Sequence, residues 1–194
     1  MKIFRKLYDW TLSKASKKSA TWFLGIISFA ESSFFPIPPD VILIPMVLAK
    51  KTKAFFYALV CTLSSVLGGV FGYIIGLVLF NSIGILLINI YHLDGQVAQF
   101  KNYYNSYGAW IVIFAGFSPF PFKVITIASG LFQLNFIIFI ICAFFSRGAR
   151  FYLVSILLYF FGDSIKILID KYFNFLTILF FALLISGFLI FKII

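Results

Sequence analysis

The sequence predicts an all-α polytopic membrane protein. Two inverted repeats are expected, each a proline-broken re-entrant hairpin plus a transmembrane helix, between an N-terminal amphipathic helix and a C-terminal transmembrane helix. Three observations predict this. The 194 residues are 62% hydrophobic and only 11% charged, with a mean hydropathy of +1.07, whereas soluble domains are about a quarter charged. The apolar stretches are long enough to cross a hydrocarbon core. Two of them are interrupted by the same proline pattern.

Residues 1–20 read as an interfacial helix. The first 18 carry six basic residues, and Ile3, Phe4, Leu7 and Trp10 recur at helical spacing, as in helices that lie on a membrane surface. No small-residue cleavage site follows the apolar run, which argues against a signal peptide.

Repeat 1 covers 21–80. Its first apolar stretch, 21–49, contains ESSFFPIPPDVI at 31–42. Pro36, Pro38 and Pro39 remove backbone donors and clash with the preceding turn, so no smooth helix passes through. Lysines at 50, 51 and 53 follow at once. A full crossing would put that cluster opposite the N-terminal one, against the positive-inside bias. A hairpin that enters and leaves on one side is therefore expected. Residues 54–80 then form a crossing helix whose Ser64, Gly68, Gly72 and Gly76 share one face, a spacing that lets another helix approach closely.

Residues 81–108 read as a polar connector at the interface, with Asp94 capping a short helix and Tyr91, Tyr103, Tyr104 and Tyr107 at headgroup level. His92 reads as an interfacial side chain. Repeat 2 covers 109–162: an apolar stretch broken by Pro119 and Pro121, then a crossing from Phe136 to Gly162 that carries Arg147 and Arg150 near its middle. The charged segment DSIKILIDK follows at 163–171, and 172–191 is a last transmembrane helix. On this topology 11 basic residues lie on the cytoplasmic side, with the N-terminus, and two on the other. The chain is then a single integral membrane domain, 1–194.

The two breaks align without gaps at an offset of 83 residues. Residues 34–42 (FFPIPPDVI) and 117–125 (FSPFPFKVI) are identical at five of nine positions. One crossing per unit makes the second copy enter from the opposite face. In transporters with inverted repeats, paired broken segments meet near the midplane and form the substrate site. Asp40 aligns with Lys123, and that pair is the expected contact between the tips.

Five charges fall at membrane depth: Glu31, Asp40, Lys123, Arg147 and Arg150. Facing lipid, they would cost on the order of 12 to 17 kcal/mol together, so they must face inward. Two acids against three bases leave one positive charge over, which suits a phosphate. Arg147 and Arg150 share a helix face and, with Lys123, form an expected headgroup site; arginine binds phosphate bidentately. Glu31 and Asp40 are expected as a coupling-proton site or as partners in a structural charge network. Cys61 and Cys142 are lone and apolar in context, and a single histidine gives no zinc site. No cofactor is expected, and the net charge of +10 flanks apolar segments in a way that fits anionic lipid rather than nucleic acid.

These residues resemble the DedA family, also called the VTT or SNARE-associated Golgi protein domain, and within it the YqaA-like branch. The resemblance rests on Glu31 with the PIPPD of 36–40, on GFSPFPFK at 116–123 with ASG at 128–130, and on SRGARFY at 146–152, and covers roughly 25–165. It implies two facing re-entrant hairpins. It also implies a lipid transporter, flippase- or scramblase-like, in a bacterial inner membrane. The cargo would be a phosphate-bearing lipid such as undecaprenyl phosphate or a phospholipid, and the role envelope homeostasis. The family's acidic pair maps onto Glu31 and Asp40. The family's arginine before the second proline is absent, with Gly116 or Phe117 in its place and Lys123 nearby. Without a G-x-S-x-G motif or an acidic metal cluster, an enzyme fits least. A proton- or ion-coupled solute transporter and a non-catalytic assembly factor are the alternatives, and a homo-oligomer is compatible with each.

Overall fold

The computed structural model describes residues 18–34, 38–84, 94–118 and 121–162. The expected amphipathic helix at the N-terminus, Tyr91 and His92, Pro36 and Pro119, and the C-terminal helix lie outside the described residues. All regular structure within them is helical. The helices are α1 (Lys18–Ser33), α2 (Asp40–Ala49), α3 (Ala54–Leu79), α4 (Asp94–Phe117), α5 (Phe122–Leu131) and α6 (Phe136–Gly162). A tight 3-10 turn at Lys51–Lys53 leads into α3, and a wider π turn at Phe80–Gly84 follows it.

Two of these are long and apolar enough to cross a membrane. They are Lys51–Ser82, which contains α3, with a mean hydropathy of 2.1, and α6, with 1.8. Helices α2 and α5 have 10 residues each. At 1.5 Å per residue that is about 15 Å, half of a hydrocarbon core. Both start beside proline, Pro39 before α2 and Pro121 before α5. A proline costs little there because the first turn's N–H groups have no intrahelical partner.

Side-chain pairs give each helix its direction. Along α1 and α3, Ser28 Oγ donates to the Cys61 carbonyl at 2.8 Å, Ser32 meets Ser65 at 2.6 Å, and Ser33 Oγ donates to the Gly68 carbonyl at 2.9 Å. The residue numbers rise together, so α1 runs parallel to α3 and ends near its middle. Helix α2 turns back, and beyond it Lys51 lies beside Gly162 at the end of α6. In the second half, Lys101 Nζ donates to Gln133 Oε1 at 2.6 Å, and Gly108 lies against Leu134. Further along, Gly116 lies against Ser146 and Phe122. Helix α4 thus runs parallel to α6 and ends near its middle, and α5 turns back. Helices α3 and α6 are antiparallel: Tyr73 stacks near Phe136 and Phe139, while Phe55 stacks near Tyr152 and Tyr159.

The glycines on α3 explain the close packing. A methyl at Gly68 would collide with the carbonyl of Phe29, and one at Gly76 with that of Ile127; Gly130 meets the Tyr73 carbonyl in the same way. The stripe seen in the sequence therefore faces α1 below and α5 above. Gln133 carries a left-handed φ of 55° where α5 ends, and Asn135 Oδ1 then accepts from the amides of Ile137 and Ile138 at 3.0 and 3.2 Å, an N-cap that starts α6.

One expected boundary differs. The connector at 81–108 and the apolar stretch from Ala109 are not separate elements: α4 runs unbroken from Asp94 to Phe117. No proline lies between, and Gly108 alone is too weak a breaker to end a helix that packs on α5 and α6. Tyr103 and Tyr107 are exposed, but Tyr104 is buried, its hydroxyl 3.1 Å from Ser129 Oγ and its ring beside Phe132. Apolar packing is divided accordingly. One cluster, with Leu43, Met46, Tyr57, Cys61 and Phe151, fills the end where α2 finishes. Another, with Tyr73, Val112, Phe122, Leu134 and Phe139, fills the opposite end.

Candidate functional site

Where the two hairpins reach the middle of α3 and α6, the charges gather. Helix α1 brings Glu31 in its last turn, α2 brings Asp40 in its first, and α6 supplies Arg147 and Arg150 three residues apart. Arg147 Nη2 donates to Glu31 Oε2 at 2.6 Å, and Arg150 Nη2 to Asp40 Oδ2 at 2.5 Å. Each acid thus has its own arginine, and each pair ties a hairpin of the first half to the long helix of the second.

The surroundings of the two pairs differ. Arg147 is 1% exposed. Its Nε donates to Ser65 Oγ at 2.7 Å, and its guanidinium carbon lies 5.0 Å from the Phe122 ring centroid and 4.7 Å from that of Phe151. Such stacking suits guanidinium, which is weakly hydrated and attracted to ring faces. Arg150 and Asp40 keep 17% and 18% of their side chains exposed, and Arg150 Nη1 donates to the Ser118 carbonyl at 3.0 Å, just before the second break. Thr126 Oγ1, on α5, donates to the Ser32 carbonyl at 3.1 Å, so the hairpin tips touch directly. Asp40 Oδ1 and Arg147 Nη1 are buried atoms without a hydrogen-bond partner among the described residues.

The expected contact between Asp40 and Lys123 does not form. Asp40 turns instead to Arg150, whose guanidinium reaches the first turn of α2 from α6. Lys123, in the first turn of α5, is half-buried and has no side-chain ion pair or hydrogen bond among the described residues. A cation at a helix N-terminus is also opposed by the helix dipole. The expected grouping of Arg147 with Arg150 and Lys123 is altered too, since Arg147 is enclosed and Arg150 is partly open. Of the hairpin prolines, Pro38, Pro39 and Pro121 flank the site; Pro36 and Pro119 are outside the described residues.

Sequence reasoning missed Ser32, Ser65, Phe122 and Phe151. Ser65 was detectable in principle, lying one turn before Gly68 on the small-residue face. The rings carry no signal in a chain with 28 phenylalanines. Among the described residues, no three His, Cys, Asp or Glu side chains come close enough to hold a metal ion.

The described residues thus form an all-helical fold with two helices long and apolar enough to cross a membrane, two 10-residue returning helices and two ion pairs where these begin. The chain belongs to a family of bacterial proteins that includes an uncharacterized protein of Haemophilus influenzae, 40% identical over 158 residues and 80% of each chain. An uncharacterized protein of Histophilus somni is 38% identical over 155 residues, 80% of this chain and 81% of its own. No established family profile matches the chain, and no solved structure matches it.

Proposed function

We propose that this is a polytopic inner-membrane protein, of DedA type, that carries a phosphate-bearing lipid between leaflets. The observation that carries the reading is the charge balance at the hairpin junction. Two acids are matched by two arginines, and the half-buried Lys123 is left without an acidic partner among the described residues. On this reading a phosphate headgroup entering at mid-depth supplies the missing negative charge, and Lys123 and Arg150 are the cations that take it. Cargo of this kind includes polyprenyl phosphates and anionic phospholipids.

The element bounds support the inverted repeat on which this depends. Shifting α2 and α3 by 83 residues lands within one residue of the start of α5 and α6, and α1 falls inside α4. The antiparallel course of α3 and α6, with parallel partners inside each half, is what two units of opposite orientation produce. Alternating access by such units places a shared site near the midplane. On this reading the N-terminus and the lysines at 50, 51 and 53 face the cytoplasm.

Flipping of a fluorescent phosphatidylglycerol in vesicles reconstituted with the full chain tests it. Lys123→Gln and Arg150→Gln should each slow flipping while the protein stays folded; unchanged rates in both would refute the reading. One observation favours a second reading, a proton-coupled solute transporter: Oδ1 of Asp40 is a buried carboxylate oxygen without a hydrogen-bond partner among the described residues. Proton flux without lipid exchange in the same vesicles would select it.

A further inference from the structure

The ion pair of Arg147 is closed by a ring of hydrogen bonds with one direction. Arginine only donates, so Ser65 Oγ accepts from Arg147 Nε at 2.7 Å. Ser32 Oγ gives its single proton to Glu31 Oε2 at 3.2 Å. The 2.6 Å contact between Ser65 and Ser32 must then be donated by Ser65. Glu31 Oε2 collects this bond and the one from Arg147 Nη2 at 2.6 Å. The ring joins α1, α3 and α6, and two phenyl rings cover the guanidinium. The pair of Arg150 has no such support. It is partly exposed, and both groups that Arg150 holds lie at chain breaks: Asp40 follows the first and Ser118 precedes the second.

We infer that the two pairs have separate parts: Glu31–Arg147 is a fixed pivot positioned by Ser65 and Ser32, and Asp40–Arg150 is an exchangeable pair. In the exchangeable pair the Asp40 carboxylate occupies the place on Arg150 that an incoming phosphate takes. Ser65 is a positioning residue, acting through Arg147. The place-holding part rests on the phosphate-headgroup reading; the division into fixed and exchangeable pairs does not.

Two measurements on the purified full chain in detergent test these parts separately. In the first, arginine is labelled with 15N and exchange into D2O is followed. The Arg147 Nε–H should outlast that of Arg150 by about 100-fold, since protection follows the rarity of local opening. Ser65→Ala should remove that protection and Ser65→Thr should restore it. Equal exchange at the two arginines, or an unchanged Arg147 signal in Ser65→Ala, overturns the division. In the second, dihexanoyl phosphatidylglycerol and inorganic phosphate are titrated as probes. Asp40→Asn removes the competing carboxylate and should lower the half-saturating concentration by about 10-fold, a change of 1.4 kcal/mol in binding, and Ser65→Ala should not. Tightening with the lipid alone assigns the site to a headgroup, and tightening with both probes assigns it to phosphate itself; either supports the place-holding role. Binding to the parent with no tightening in Asp40→Asn overturns that role and leaves the headgroup reading intact. No binding of either probe to parent or variant removes the headgroup reading and the place-holding role together, while the exchange data still decide the division.

Discussion

Replacing Glu31 by glutamine should destabilise the protein far more than replacing Asp40 by asparagine, although each change removes one carboxylate from one arginine. Arg147 is 1% exposed and Glu31 11%, so Glu31→Gln leaves a full cation buried without its counter-charge. Breaking a buried pair from one side costs about 3–5 kcal/mol. Arg150 and Asp40 are 17% and 18% exposed, and Arg150 keeps its bond to the Ser118 carbonyl, so the less enclosed pair should lose less, about 1 kcal/mol for Asp40→Asn. For a chain of this length 1 kcal/mol moves the melting temperature by about 2–4 °C. Glu31→Gln should thus lower it by roughly 6 to 20 °C, and Asp40→Asn by no more than about 4 °C. The double variant Glu31→Gln/Arg147→Met should recover most of the loss, because an apolar side chain between Phe122 and Phe151 carries no desolvation penalty. Thermal melts of the purified chain in dodecyl maltoside, followed by size exclusion, measure all three. Equal shifts in the two single variants, or a double variant no better than Glu31→Gln, would refute the reasoning.

Gly76→Val pushes a branched side chain into the carbonyl of Ile127 and should cost about 1–3 kcal/mol or more by overpacking, seen as lost monodisperse protein. Gly95→Val, with nothing within 4 Å, is the matched control and should behave as the parent. Single cysteines at 50 and 101 should label from opposite faces of reconstituted vesicles, since Lys101 bonds Gln133 at the far end of α3 from Lys50. The native thiols Cys61 and Cys142 are buried and should contribute little background. Labelling of 50 and 101 from the same face would refute the crossing of α3.

Much of this fold is legible in the sequence because prolines and length are local signals. Pro39 and Pro121 mark where α2 and α5 begin, and the 27 residues of α6 match the predicted crossing. What stays hidden depends on register between helices. The alignment that sets Asp40 over Lys123 compares equivalent positions in two units, but equivalence does not put them in contact; Arg150, from α6, pairs with Asp40 instead. Ser65 is unremarkable until α1 is laid parallel to α3, which brings Ser32 opposite it. Tyr104 reads as interfacial by residue type, yet the unbroken course of α4 turns it toward Ser129. In each case the deciding quantity is the rotation of one helix against another, which no single stretch of sequence contains.

The glycines of α3 bear on how the hairpins can move. Helices packed through long side chains interlock, and sliding one past the other lifts each ridge out of its groove. At Gly68 and Gly76 backbone meets backbone, so no side chain of α3 stands in the way. At these two points the hairpins rest on α3 without interlocking side chains. Resistance to sliding there is concentrated in a few discrete catches, notably the bonds from Ser28 to the Cys61 carbonyl and from Ser33 to the Gly68 carbonyl. A bearing of that kind allows small displacements between fixed stops without repacking the core on either side.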